Sequence, residues 1–174
     1  DLQVKIMKGH PVKFCSSCGA PLTLRTPEDD NRERQVCTRC DFIHYQNPRI
    51  IGGALVVHED KVLLCRRAIE PRKGYWTLPA GYLEAGETLE EGASRETLEE
   101  SLAEISIDGL YAVFSLPHIN QVYMLFRAAL LHGRFGAGSE TLESRLFAED
   151  EIPWDEMAFP TMTRTLKFYF EDRK

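Results

Sequence analysis

A chain of 174 residues, 43% hydrophobic and 28% charged, suits one ordinary domain with a small appendage and excludes two large ones. Its 21 basic and 27 acidic residues leave a formal charge of −6, which argues against a general nucleic-acid or membrane-surface binder, since such binding rests on a basic face. No run approaches the roughly 18–20 apolar residues of a membrane helix, and residues 1–15 lack the apolar core of a secretory signal. The chain reads as soluble and is expected in the cytoplasm, with a removed targeting segment left open because it begins at Asp1.

Residues 1–48 hold four of the five cysteines and little continuous apolar sequence. A segment near or below about 40 residues needs a metal or disulfides to hold a fold. Cys15 and Cys18 form one CxxC pair, Cys37 and Cys40 another, and 18 residues separate them. That spacing predicts a four-cysteine zinc site, each pair turning two thiolates toward one point. Two disulfides are the alternative; the missing secretory run and the leftover fifth thiol speak against it. Asn47-Pro48 marks the boundary, so a small first domain over 1–48 and a larger one over 49–174 are expected.

From Ile50 the pattern becomes β. Ile50 to Val57 and Lys61 to Cys65 are apolar, β-branched runs joined by a short polar link, a hairpin pattern. Cys65 reads as a small buried hydrophobe within the second run. A helix is predicted from about Leu89 to Leu102, opened by a capping box of Thr88 and Glu91. Strands follow at Tyr111 to Leu116, Gln121 to Leu131 and Arg145 to Phe147, and a last helix from Thr163 to Glu171, after Pro160. Mixed strands with one central and one terminal helix predict an α/β fold, a sheet covered by helices.

The central helix is where the acidity collects. Residues 84–104 contain eight glutamates and one basic residue, Arg95. Like charges three or four apart on a helix repel by a few tenths of a kcal/mol per pair. Glu96, Glu99 and Glu100 share one face, and Leu98 and Leu102 are expected to anchor the other in the core. Such a helix suits a divalent-cation site, because hard cations take carboxylate oxygens; a solvated surface helix is the alternative.

The stretch Gly81 to Ala103 resembles the Nudix box: a glycine, five residues, a glutamate, seven residues, then Arg-Glu-U-x-Glu-Glu-x-Gly-U, with U a bulky aliphatic. Gly81, Glu87, Arg95, Glu96, Glu99 and Glu100 match in register. Thr97 and Ala103 stand where aliphatics are usual, and Leu102 replaces the glycine near the helix end. The resemblance implies a Nudix α/β/α sandwich with a mixed sheet that binds Mg²⁺ or Mn²⁺ and hydrolyses a nucleoside diphosphate linked to another group. It implies metal ligation by Glu96 and Glu100, with the carbonyl of Ala80 or Gly81 contributing and Glu99 as a further ligand or base. Glu87 would pair with Arg95 and orient the cluster. A later glutamate joins the site in several branches, and Glu143, four residues before Phe147, is the candidate.

The order of zinc ribbon, Tyr45-Gln-Asn-Pro48, Nudix domain and Glu140-Thr-Leu-Glu143-Ser-Arg-Leu-Phe147 is similar to that of plant FAD and ADP-ribose diphosphatases. The expected reaction is cleavage of ADP-ribose or FAD with release of AMP. NADH diphosphatases also carry the ribbon, but their SQPWPFPxS signature has only Ser115 and Pro117 as echoes here. Tyr45 is a candidate to stack on a substrate ring, or else packs the ribbon against the larger domain. A non-catalytic metabolite sensor is the competing class, favoured only by Leu102. The resemblance also implies a homodimer acting on small nucleotide derivatives.

Overall fold

The computed structural model describes residues 12–174, which divide into two compact units at Pro48 and Arg49. Residues 1–11, most of the stretch read above for a signal, lie outside the described residues.

The first unit carries three short antiparallel strands in the order β1 (Leu22–Arg25), β2 (Arg34–Cys37) and β3 (Ile43–His44). Its buried apolar residues are Cys15, Val36 and Cys37. So small a core stabilises little by itself.

In the second unit the sheet runs β10 (Thr141–Phe147), β5 (Lys61–Arg67), β4 (Arg49–His58), β9 (Gln121–Leu130), β8 (Ile105–Leu116), with β6 (Trp76–Thr77) paired to β5 and β7 (Ala80–Tyr82) paired to β4. The β4–β9 pairing is parallel and the others are antiparallel, so the sheet is mixed. The β4–β5 hairpin closes on Glu59-Asp60, with Glu59 in the left-handed region. Strand alternation sends Ile51, Leu55, Val62, Leu64, Tyr123 and Leu125 to one face, where Met162, Leu166, Tyr169 and Phe170 of helix α2 (Pro160–Asp172) cover them. Ala54, Val56, Leu63, Ala128 and Leu130 face the other way, toward Ala103, just beyond helix α1 (Leu89–Ser101). Helices on both faces complete an α/β/α sandwich.

Two expectations need correction. Pro160 does not precede α2 but opens it, at a position where its missing N–H costs nothing. More consequentially, Leu98 and Leu102 do not anchor α1: they are 48% and 55% exposed, and the buried residues are Gly92, Ala93, Thr97 and Ser101. The reason is proximity. A Cβ on Gly52 of β4 would lie 3.3 Å from the Ala93 nitrogen, so the helix rests almost on the sheet backbone and only small side chains fit beneath it. Thr97 and Ser101 are tolerated there because their hydroxyls donate to the carbonyls of Ala93 and Thr97, at 2.7 and 2.6 Å. β8 starts six residues earlier than the sequence pattern indicates, because two register shifts, near Asp108 and Tyr111, interrupt its alternation.

Candidate active site

In the first unit the sulfurs of Cys15, Cys18, Cys37 and Cys40 lie within 4.8 Å of one another as free thiols. Cys15 and Cys40 are 3.8 Å apart and Cys18 and Cys37 3.4 Å; a tetrahedron with metal–sulfur bonds of about 2.3 Å has edges of roughly 3.8 Å. The turns also supply donors: Ser17 to the Cys15 sulfur, Arg39 and Cys40 to the Cys37 sulfur, each at 3.4 Å. Gly19, with φ of +72°, makes the tight turn after the first pair. The Ala20 N–H and the Cys37 thiol draw the Cys18 thiol down to about 6, toward the thiolate a metal needs. The donor set fits a closed structural zinc site, which has no open position for chemistry.

The second unit holds the acidic cluster. Thr88 caps α1 as expected: its hydroxyl accepts from the Glu91 N–H at 3.1 Å and its N–H donates to Glu91 Oε2 at 2.7 Å. Arg95 is the hub of the box. Its Nε and Nη2 donate to both oxygens of Glu87 at 3.0 and 2.8 Å, its Nη1 to Glu96 at 2.7 Å and Glu99 at 3.3 Å, and its Nη2 also to the Tyr82 carbonyl at 3.1 Å. This fork holds the Glu87 carboxyl down at about 2, helped by the Glu84 N–H at 2.7 Å. Glu87 therefore stays charged and fixes the guanidinium that steers Glu96 and Glu99.

Glu100 is in the opposite condition. It is largely buried and accepts one hydrogen bond, from the Ala80 N–H at 3.0 Å. Burial pushes its carboxyl up to about 7, with the charges of Glu96 and Glu140 adding and the Ala80 N–H and Arg67 opposing. Glu96 is raised as well, by burial first, despite Arg95. Gly81 makes the approach possible, since a Cβ there would overlap the Glu96 carboxylate.

Ala80, Gly81, Glu96 and Glu100 are thus brought together, while Glu99 stands at the edge with its side chain 60% exposed. Glu143 is exposed on β10, opposite Arg66. The later glutamate whose charge reaches Glu96 and Glu100 is Glu140, absent from the sequence expectation. Glu140 is exposed and stands next to the buried Thr141, and the register shift between Thr141 and Glu143 interrupts the alternation of β10. Tyr45 lies in the first unit and is 59% exposed, with the Arg34 guanidinium 5.4 Å from its ring centroid.

Arg67 is the cation acting on Glu100. Its Nε is held by the Pro71 carbonyl at 2.8 Å, and its other N–H groups make no hydrogen bond among the described residues. Nearby, Arg49 lies over the Tyr82 ring at 4.7 Å, and Gln121 donates to the Tyr82 hydroxyl at 3.0 Å. The arrangement is a sheet end with mainly oxygen donors, an excess of negative charge around a buried carboxylate, and arginines at the rim. Such a donor set fits a hard divalent cation.

A model of the Nudix domain matches residues 47–167, and a model of the Nudix N-terminal zinc ribbon matches residues 13–46. The chain belongs to the Nudix hydrolase family, in its zinc-ribbon-bearing form. It is 57% identical to a Nudix hydrolase from Nitrosomonas europaea whose crystal structure matches with a TM-score of 0.90, over 93% of this chain and 92% of that one. It is 30% identical over 115 residues to the ADP-ribose pyrophosphatase of Methanocaldococcus jannaschii, 63% of this chain and 67% of that protein. It is 32% identical over 146 residues to the NAD-capped RNA hydrolase NudC of Stutzerimonas stutzeri, 81% of this chain and 50% of that protein. The chain spans about half the length of the NudC relatives it matches.

Proposed function

We propose that the protein hydrolyses the diphosphate bond of a nucleoside diphosphate linked to another group, with ADP-ribose as first substrate, giving AMP and ribose 5-phosphate. FAD, cleaved to AMP and FMN, is the other expected substrate. The observation that carries this reading is the convergence of two carboxylates on one short strand, Glu96 against Gly81 and Glu100 on the Ala80 N–H, with a single arginine, Arg95, shared among Glu87, Glu96 and Glu99. Glu96 and Glu100 would hold Mg²⁺ or Mn²⁺, with Glu140, Glu99 and the carbonyl of Ala80 or Gly81 as further donors. When bound, such an ion cancels repulsion between diphosphate and carboxylates and acidifies the attacking water.

The chain's own residues supply the rest. Arg95, pinned by Glu87, holds Glu96 and Glu99 in place. Glu99, open to solvent, and Glu100 are the groups placed to take the proton of the attacking water. The free N–H groups of Arg67 suit a phosphate oxygen, and the exposed rings of Tyr82 and Tyr45 offer faces to a base or flavin.

A second substrate reading, NADH or another NAD derivative, is supported by the share of this chain that the NudC relatives match, 81–85% in three of them. The test is direct. Purified protein with Mg²⁺ is incubated with ADP-ribose, FAD, NADH, NAD-capped RNA and a nucleoside triphosphate, and products are resolved. AMP from ADP-ribose at the highest kcat/KM supports the first reading, and preference for NADH or the capped RNA supports the second. Binding without metal-stimulated turnover of any of them would establish the non-catalytic sensor instead.

A further inference from the structure

Helix α1 ends without the glycine that the box calls for. Leu102 takes the left-handed cap conformation itself, φ of 51°, donating its N–H to the Leu98 carbonyl at 2.9 Å. Beyond that bond the last carbonyls of a helix have no partner within it. The segment after β9 supplies two: the Gly136 N–H donates to the Ser101 carbonyl at 2.7 Å and the Gly138 N–H to the Glu100 carbonyl at 3.0 Å. A remote loop, and not the helix's own continuation, completes the end of the metal-site helix.

Gly138 is the tighter of the two contacts. Its φ lies outside the left-handed region, so its conformation is open to any residue, and what demands glycine is space. A Cβ there would overlap the carbonyl oxygen of Glu99 and lie 3.1 Å from the carbonyl carbon of Glu100. Both are helix backbone and cannot turn aside. A Cβ on Gly136 would meet only the Leu102 side chain, at 3.3 Å, which can.

Two residues beyond Gly138 stands Glu140. The Gly138 carbonyl accepts from the Thr141 N–H at 3.1 Å, and the Glu140 carbonyl accepts from the Ala68 N–H, next to the end of β5, at 2.8 Å. Glu140 is therefore tied to the sheet on one side and, through one short turn, to the backbone of Glu99 and Glu100 on the other. The charge interaction of Glu140 with Glu96 and Glu100 reports the same proximity.

We infer that Gly138 is a positioning residue: by permitting direct backbone contact with the last turn of α1, it sets the spacing between Glu100 and Glu140 and so the geometry of the cation site. The inference rests on the metal-site reading given under Proposed function. A displacement of 1 Å at a catalytic constellation costs on the order of a hundredfold, and an alanine at 138 forces a shift of that size between the loop and the helix.

The experiment compares wild type, Gly138→Ala and Gly136→Ala, each also in a Leu102→Gly background that relaxes the helix cap. Mn²⁺ affinity is read without substrate from the paramagnetic resonance signal of free Mn²⁺, and kcat and KM are read at saturating Mn²⁺. Expected for Gly138→Ala are a dissociation constant for Mn²⁺ raised about tenfold, kcat lowered by tens-fold to a hundredfold, and KM within twofold; Gly136→Ala stays near wild type. The Leu102→Gly background is expected to restore the melting temperature of Gly138→Ala without restoring kcat or Mn²⁺ affinity. Unchanged Mn²⁺ affinity and kcat in Gly138→Ala overturn the inference. So does recovery of both with the melting temperature, or failure to fold in both backgrounds, since Gly138 would then hold the domain and not the site. A wild type that neither binds Mn²⁺ nor turns over refutes the metal-site reading itself, and this inference falls with it.

Discussion

Glu100 carries the sharpest conflict between stability and function, a carboxylate taken out of water with one main-chain donor to compensate. Its value is raised from the ordinary 4.5 to about 7. Between those values the folded protein binds more protons at this group than the unfolded chain, so the group's contribution lowers stability as pH rises through that window. The cost at pH 8 is on the order of 3 kcal/mol. In buffer without divalent ions, Glu100→Gln is expected to raise the melting temperature by several degrees at pH 8 and to leave it nearly unchanged at pH 5, because the amide oxygen can still accept from Ala80. The same variant is expected to keep the fold by circular dichroism and to lose activity by several orders of magnitude. Undiminished turnover would remove Glu100 from the mechanism. Glu87 follows the opposite sign: its value is held down to about 2, so its stabilisation is present above the ordinary 4.5 and is lost as pH falls through that window. Gly81→Ala tests the cradle around Glu96. With Arg95 preventing a simple retreat of that carboxylate, kcat is expected to drop at least tenfold with little change in melting temperature, and a wild-type kcat would show that the Glu96 approach is not needed.

At the scale of elements, α1 shows how local pattern and packing divide the labour. Its start was legible, because the Thr88–Glu91 capping box is a contact within four residues. Its buried face was not. A helical wheel assigns leucines to the core by default, yet close approach to Gly52 selects Gly92, Ala93, Thr97 and Ser101 instead. The left-handed Leu102 costs about 1 kcal/mol relative to glycine. Leu102→Gly is accordingly expected to raise the melting temperature by about 2–4 °C, read by thermal denaturation; a fall would mean that the contact of Leu102 with Gly136 outweighs the backbone strain. The facing of Glu143 was likewise not legible, because the register shift between Thr141 and Glu143 is a property of the pairing of β10 with β5.

For the whole molecule, the two units are held by different forces. The larger one has two apolar layers, one on each face of its sheet, whereas the ribbon buries little besides Cys15, Val36 and Cys37 among the described residues. Withdrawal of zinc by a chelator is expected to abolish hydrogen-exchange protection over residues 13–46 and to leave most of it over 49–174; retained protection in the ribbon would show that metal does not hold it. We also propose that the protein is a homodimer, and sedimentation equilibrium showing only monomer at micromolar concentration would refute this.

What the amino-acid sequence determined by itself was chemistry borne by short spacings. The CxxC pairs, the capping box and the run from Glu87 to Glu100 each lie within one turn or one helix, where covalent connection sets the geometry. Continuous apolar, β-branched runs marked β4 and β5 in the same way, because a strand covered on both faces carries apolar residues at successive positions. The tertiary structure alone decided what depends on partners distant in the chain: the small-residue face of α1, the burial that raises Glu100, the register shift between Thr141 and Glu143, and the capping of α1 by Gly136 and Gly138. Those outcomes depend on how closely two backbones approach, and no spacing within a single segment encodes that distance.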